Sequence, residues 1–595
     1  MRRARFVFIV LLPLLAAVLG SALGQEIPKP RPEEYPDAKA LADMANKNYP
    51  SAKACGECHP SQYRQWSISS HAYANVSPMF NKFEQKINDL ASGTINHFCV
   101  RCHASVGTAL GERRDIAWWN RSGAANEGIT CVTCHRVGNG YGKTNAARRI
   151  TPGSIHEAIF GPFDTMGGIK AISNARGLQL LVSSDQPDRP NEPDGTKWIR
   201  IHQTAVQSEF IKQSEFCATC HQVQVHPGIK LETVWEEYRS SPAAKEGITC
   251  QQCHMSPNPG LPTVFARGPA AIVNGQIVNN DRPLTDHTFV GPGYPISHPG
   301  LFPFRREESP FTPQQWLKFD YRDEWGSEAF ENKAAAAPGS YSFPPEWQNP
   351  ADRKKAWSIV EENLERWKDR QKQRIKLLET ASHLDGPFFK GRPEVGKEFS
   401  FEYKISNRNK GHNLPSGSLG AQPELWLNVA LIDPDGKRVW ESGYVDSHGD
   451  VADLQSEDVQ KGKIEHDDQL VSMQAKFITT NVKGTDREMY LPINLDFDQL
   501  PFIRPGGTPT SLLNHPPFAR MEKRSIPPLG TRVAKYKVPG DALKKAGTYR
   551  LAVRLRGRTE PIYFMKFVEA TRDMIRAENE WADDIHPYAV EFEVR

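Results

Sequence analysis

Five copies of one pentapeptide, Cys-x-x-Cys-His, fall between residues 55 and 254. They read Cys55-Gly56-Glu57-Cys58-His59, Cys99-Val100-Arg101-Cys102-His103, Cys131-Val132-Thr133-Cys134-His135, Cys217-Ala218-Thr219-Cys220-His221 and Cys250-Gln251-Gln252-Cys253-His254. Together they use all ten cysteines of the chain. Two thiols three positions apart can each form a thioether to one haem vinyl group, and the His that follows then sits under the iron as an axial ligand. Structural zinc sites need two further ligands at their own spacing, and neither they nor a disulfide framework calls for a fixed His after each Cys pair. The motifs therefore predict five covalently bound c-type haems.

A haem iron has a sixth position. A second His there gives a low-spin electron carrier, and an open position admits substrate. Outside the motifs the same region offers His71, His97, His156, His202, His226, His287 and His298. These are seven candidates for five positions, and any one of them could equally be a surface or hydrogen-bonded residue. His71, His202 and His287 are the first expected distal ligands. His71 and His287 have small or aromatic neighbours suited to burial, and His202 stands in a stretch read as helix leading to motif four. His97 is too close to Cys99 for its own haem but could serve a neighbour. Met255 adjoins His254, and adjacent residues cannot straddle one iron, so it reads as packing.

The elements around these residues follow from pattern. Trp66 to Ala72 opens a helix with Ser as cap and His71 in its first turn. An internal repeat spans the later motifs. Glu127-Gly128-Ile129-Thr130 precedes motif three and Glu246-Gly247-Ile248-Thr249 precedes motif five. Ser122-Gly123-Ala124-Ala125-Asn126 and Ser241-Pro242-Ala243-Ala244-Lys245 stand before them. Two paired-haem modules lie in series, motifs two and three and then four and five, each pair expected near contact. Residues 140–200 read as an insertion of loop with short helices, including the turn-rich run Asp185 to Gly195. Residues 255–350, rich in Pro, Gly and aromatics, read as extended chain wrapping haem faces.

From Asn349 the character changes. Asn349 caps, Pro350 suits the first helical position, and a helix to about Leu384 follows, stopped by Gly386 and Pro387. Val360, Leu364, Trp367, Ile375 and Leu378 form its stripe, and Arg370 belongs to the charged remainder. It reads as a spacer on the haem region, with an oligomer seam as the alternative. Beyond Gly391 the period becomes two: Phe399, Phe401, Tyr403 and Ile405, then Leu425 to Leu431. Asp433-Pro434-Asp435-Gly436 signals a hairpin. Tyr549 to Leu555 and Val590 to Val594 alternate likewise, with a long polar excursion over roughly 445–530. The expected fold is therefore α+β and multidomain. It has a signal peptide over 1–24, an N-terminal arm over 25–50 and a loop-rich, mainly helical pentahaem domain over 51–300. A Pro- and aromatic-rich wrap over 301–348, a long helix over 349–385 and an Ig-like β-sandwich over 386–595 follow.

Trp66-x-x-x-Ser70-His71-Ala72, the two Glu-Gly-Ile-Thr-Cys runs and His287-Thr288-Phe289 resemble the multihaem cytochromes c of the haem-packing superfamily. That superfamily includes the tetrahaem cytochrome c partners of hydroxylamine oxidoreductase and, more distantly, that enzyme itself. Gly411-His412-Asn413-Leu414-Pro415-Ser416-Gly417 is similar to a segment that many of them carry in a C-terminal β-domain. The resemblance implies stacked and T-shaped haem pairs and distal ligation by His71, His202 and His287. His412 could reach a haem at the domain interface, or be a hydrogen-bonded loop His. Five haems match neither the tetrahaem carriers nor the octahaem enzymes, and no Cys-x-x-Cys-Lys motif is present.

Two functional classes follow. One is an electron carrier serving a redox protein or a quinol-linked donor or acceptor in respiration. The other is an oxidoreductase acting on a small nitrogen or sulfur compound at one open haem, with Arg113, Arg114 and Arg121 as candidate donors or, more plainly, as solvated charge. A surface or filament-forming cytochrome is a third class. Arg2, Arg3 and Arg5, the apolar run Phe6 to Leu19 and Ser21-Ala22-Leu23-Gly24 make a cleavable secretory leader, which places the chain in the periplasm or outside the cell. Covalent haem agrees with that compartment. The leader's three arginines account for three of the four formal positive charges, leaving +1, and haem propionates would make the protein acidic. No nucleic-acid partner is expected, mean hydropathy is −0.56, and no stretch after the leader is apolar enough to cross a bilayer.

Overall fold

A computed structural model describes residues 38–595 apart from 91–94, 114–115, 143, 163–178, 182–197, 201, 203–204, 226–228, 270, 274, 279–280, 296, 304–310, 418–422, 475, 483–484, 488–518 and 523. The expected signal peptide, the run Asp185 to Gly195, Arg114 and His226 lie outside the described residues.

The haem-motif half consists of short helices joined by loops. Each motif makes or follows about one helical turn: Ala52–Gly56, Val100–His103, Cys131–His135, Ser214–Ala218 and Cys250–His254. The arm is a wrap. Its helix Ala38–Asn48 places Leu41 and Ala45, with Tyr49 just beyond, in one core with Val106, Leu110, Val132 and Phe216. The sequence repeat is one local device used twice. Ser122 and Ser241 cap the one-turn helices Gly123–Asn126 and Pro242–Lys245. Gly128 and Gly247 then take left-handed backbone, at φ +66° and +72°. Thr130 and Thr249 form capping boxes on the motif helices, each satisfying backbone N–H groups that a helix start leaves open.

Three expectations need correction. His202 stands not in a helix but between the strands Trp198–Arg200 and Ala205–Gln207, whose β-branched and aromatic residues favour extended chain. The second of these pairs in parallel with Ile159–Gly161. Residues 255–350 are not simply extended. Thr312 and Ser327 cap the helices Pro313–Trp316 and Glu328–Ala336, and Trp316, Phe319 and Trp347 build a separate aromatic core beneath Ala356 and Val360. The long helix runs Pro350–Ala381, capped by Asn349 as expected, but Leu384, Gly386 and Pro387 belong to the following strand Ser382–Phe389.

That helix, about 48 Å long at 1.5 Å per residue, is a strut within the chain. Its buried seam alternates apolar and polar residues: Ala356, Val360, Asn363, Trp367, Arg370, Arg374 and Leu378. Arg370 is therefore inside, not on the charged exterior, and reaches the Thr288 and Phe289 carbonyls at 3.4 and 3.3 Å. Arg353 pairs with Glu331 at 2.6 Å. Arg374 pairs with Asp583 and donates to the Trp581 carbonyl at 2.7 Å. A buried guanidinium is tolerable only when its N–H groups find such partners.

The C-terminal region holds a small antiparallel sheet, Thr485–Arg487, Lys476–Val482 and Ala519–Glu522, and two larger ones. One is Ser382–Phe389, Phe399–Asn407 and Thr531–Val538; the other joins Arg438–Ser442, Glu424–Ile432, Gly547–Arg558 and Asp583–Val594, with Val471–Ser472 added beside Glu424–Ile432. Phe401, Tyr403, Leu427, Leu431, Tyr549, Leu551 and Leu555 fill the core they share, an arrangement consistent with a β-sandwich. The hairpin at Asp433 to Gly436 forms as expected, with Gly436 at φ +82°. Two helices, Ile562–Phe567 and Arg572–Glu580, were not expected inside this region. They pack Ile562, Phe564 and Met574 against Met79 and Tyr294, clamping the sheets to the haem-motif half. Among the described residues no helix is long and apolar enough to cross a membrane.

Candidate functional site

The fold brings histidines from distant parts of the chain face to face. His59 faces His202 with ring centroids 6.4 Å apart and planes 3° apart. His135 faces His287 at 6.4 Å and 28°, and His254 faces His412 at 6.0 Å and 15°. His71 faces His221 at 6.2 Å and 46°. Each pair joins one motif His to one His outside the motifs. Two metal–nitrogen bonds of about 2 Å plus the distance from each ring nitrogen to its centroid span roughly 6.3 Å, so one iron fits between the rings of each pair.

The hydrogen bonds agree. A ligating imidazole normally bonds its remote nitrogen to a carbonyl or carboxylate, which leaves the other free for metal. His135 Nδ1 meets the Phe160 carbonyl at 2.8 Å, His202 Nδ1 that of Ile155 at 2.7 Å, His287 Nδ1 that of Thr285 at 3.0 Å and His412 Nδ1 that of Asn413 at 3.0 Å. Burial lowers the pKa of His71 to about 3 and of His202, His254 and His287 to about 4. These rings are neutral near pH 7, the form that binds a metal.

Local devices set these positions. His71 lies in the helix Ser70–Tyr73, capped by Ser69. Its carbonyl accepts the Ile129 N–H at 3.0 Å, which ties it to the turn before motif three. Gly128 is required there, because a Cβ would stand 2.5 Å from the His71 carbonyl oxygen. The Glu127 carboxylate accepts the Ala52 N–H at 2.8 Å, linking that turn to motif one. Burial raises the Glu127 pKa to about 7. Phe289 wedges between His71 and His287, with ring centroids 4.4 and 5.8 Å away.

His412 rides on a loop fastened to motif four's module. Asn413 N–H and Ser416 Oγ donate to Glu237 Oε2 at 3.2 and 2.8 Å. Lys410 pairs with Glu246 at 2.8 Å, and its carbonyl accepts the Ala243 N–H at 3.1 Å. His412 is thus a hydrogen-bonded loop residue that also faces His254.

The remaining candidates stand elsewhere. His97 has both ring nitrogens engaged, with Asn96 Oδ1 at 2.7 Å and the Glu112 carbonyl at 2.9 Å. His298 is engaged likewise, by the Phe319 carbonyl at 2.9 Å and the Gly300 N–H at 3.0 Å. Both therefore leave the ligand set suggested by their sequence. Met255 ends the motif-five helix and accepts the Asp286 N–H, as packing. Arg113 is exposed and Arg121 half-buried. His103 differs from the other four motif histidines. Among the described residues no imidazole faces it at ligand spacing. Its Nδ1 meets the Ala74 carbonyl at 3.1 Å, and Phe80 lies flat on its ring at 3.8 Å and 5°. Phe80 carried no signal in the sequence.

None of the ten cysteines is in a disulfide, and all are half-buried. Thiols of different motifs meet: Cys55 with Cys131, Cys102 with Cys220 and Cys217 with Cys250. Motif four thus adjoins motif five, as the sequence repeat predicts. Motif two, however, meets motif four through its thiol, and motif three meets motif one.

Residues 54–136, which hold motif one from Cys55 through motif three together with His71, match the family model for cytochrome c554 and c-prime. A cytochrome c-type segment carries covalently bound haem, and the Cys and His sets just described fit that group. No curated protein matches. One solved structure, a Pseudomonas fluorescens alkylpurine DNA glycosylase AlkC bound to DNA containing an abasic site analog, aligns at 8% identity over 40% of this chain and 39% of that one. Its TM-score of 0.13 is too low to say anything of fold or function.

Proposed function

We propose that this chain is a secreted pentahaem c-type cytochrome that moves electrons to or from a redox protein or a quinol-linked partner. The four facing histidine pairs carry the reading. His59 with His202, His221 with His71, His135 with His287 and His254 with His412 would each hold one iron in a six-coordinate, low-spin state. Bound haem supplies an iron that cycles between two oxidation states with little change of structure. The chain's part is to hold five such groups close together, to keep the ligating rings neutral and oriented, and to exclude competing ligands. Meeting thiols make motif four the neighbour of motifs two and five, and motif one the neighbour of motif three. Mass spectrometry of the mature protein should show five haem additions, and its oxidised spectrum should be dominated by low-spin haem. Fewer than five additions, or a mainly high-spin spectrum, overturns the reading.

His103 supports a second reading. A haem attached at Cys99 and Cys102 would have one protein ligand among the described residues, and so an open position for a small nitrogen or sulfur compound. A high-spin signal that shifts on adding nitrite, hydroxylamine or sulfite supports an oxidoreductase. Its absence leaves the carrier alone.

A further inference from the structure

Arg148 occupies a place that the electron-carrier reading does not use. The chain leaving motif three turns back so that Gly140 and Arg148 pair as an antiparallel bridge, with the Tyr141 N–H donating to the Ala147 carbonyl at 2.9 Å. At its tip Asn145 and Ala146 both take left-handed backbone, at φ 55° and 56°. Asn tolerates that conformation, whereas Ala adopts it only where its surroundings hold it there. Here motif four imposes it: the Ala146 N–H donates to the Thr219 carbonyl at 2.6 Å and the Asn145 N–H to that of Gln222 at 3.1 Å.

This docking sends the Arg148 side chain inward over the Phe216 ring, at 5.7 Å. The guanidinium hydrogen-bonds the Cys134 thiol, and its charge acts on the thiols of Cys102, Cys217 and Cys220 and on the rings of His71 and His221. Attachment points of motifs two, three and four therefore converge on one guanidinium. An arginine stays charged at any pH the protein meets, and a charge in a poorly solvated interior acts strongly on its neighbours. Beside motif one a different cation, Arg136, acts on Cys55 and His202.

We propose that Arg148 is a redox-tuning residue at a three-way junction, its fixed positive charge raising the reduction potentials of the haems on motifs two, three and four. Reduction removes one positive unit at the iron, so a nearby cation favours the reduced state. The inference rests on the pentahaem reading, and mass spectrometry of the native chain separates the two: fewer than five haems refutes that reading and says nothing for or against a charge at the junction.

The test uses the full-length holoprotein in native form and as Arg148→Gln, Arg148→Met and Arg148→Lys, each titrated electrochemically with EPR readout. In the neutral variants the high-spin signal and two of the low-spin signals should move to lower potential, the other two should hold, and Arg148→Lys should stay near native. In a protein with five haems, unchanged potentials in both neutral variants overturn the proposal. An equal shift of all five haems, or a lysine variant that behaves like glutamine, does so too. If both neutral variants fail to load haem while Arg148→Lys loads it, the charge serves assembly and not tuning, which also overturns it.

Discussion

His254 and His412 face one another at 6.0 Å with planes 15° apart, although one belongs to a haem motif and the other to a loop of the β-sheet region. The C-terminal region thus meets the haem-motif half through this facing pair as well as by packing. Glu237 accepts both Asn413 N–H and Ser416 Oγ, so one carboxylate holds two of the loop's donors beside the Lys410 contacts.

Two substitutions should expose that arrangement. His412→Ala should convert one low-spin haem to high-spin while mass spectrometry still counts five haems, because attachment is through Cys250 and Cys253. Glu237→Ala should do the same in part, since it leaves two donors without an acceptor, at a cost of about 1–3 kcal/mol. Lys410→Ala should change little, because its pair with Glu246 is about half exposed on both sides and such pairs contribute roughly 0–1 kcal/mol. EPR of the three oxidised proteins checks all three, and a native spectrum for His412→Ala removes it as a ligand.

His71 and His97 make a matched contrast. Both are histidines near a motif, but His71 faces His221 at 6.2 Å while His97 has both nitrogens hydrogen-bonded. His71→Ala should add one high-spin haem and His97→Ala none. A high-spin signal from His97→Ala, with His71→Ala unchanged, would reverse the assignment.

Much of this site was legible in the sequence because haem attachment is local. Two thiols and a His within five residues specify it without any fold. His71 and His287 were legible through neighbours suited to burial. His202 was found for the wrong local reason, since it stands between strands and not in a helix. The partners of each iron were not legible, because a distal ligand is set by how segments pack, and nothing at Phe80 distinguishes it from an ordinary core residue. The repeat suggested pairing of motif two with three; the contact of Cys102 with Cys220 in motif four carried no such signal, because it joins segments far apart in the chain. In the long helix, apolar periodicity marked Val360 and Trp367. It missed Arg370 and Arg374, because a guanidinium is buried only where distant acceptors such as the Phe289 and Trp581 carbonyls meet it.

The two repeat glycines should respond differently to substitution. Gly247→Ala meets open space, so its cost is the left-handed backbone alone, about 1–2 kcal/mol. Gly128→Ala carries the same backbone cost and also drives a Cβ to 2.5 Å from the His71 carbonyl oxygen. It should lower the melting temperature further and disturb the His71–His221 site, seen as loss of low-spin signal. Equal effects of the two substitutions on both measurements contradict the contact.

Glu127 gives a pH dependence with a definite sign. Its carboxyl is buried beside the start of the motif-one helix and its pKa is raised to about 7, burial being the cause and the Ala52 and Lys53 N–H groups opposing it. The unfolded chain titrates near the ordinary value of 4.5. A folded-state pKa raised for an acid means that the folded form holds the proton more tightly. Its stabilising contribution is therefore full below the unfolded pKa and is lost as pH rises from about 4.5 through 7. Glu127→Gln keeps an acceptor for the Ala52 N–H and cannot ionise. Thermal melts across that window should show the native protein losing stability with rising pH relative to Glu127→Gln, with the difference constant above pH 7. Parallel melting curves for the two proteins from pH 4.5 to 7 would show that Glu127 ionises as freely in the fold as outside it.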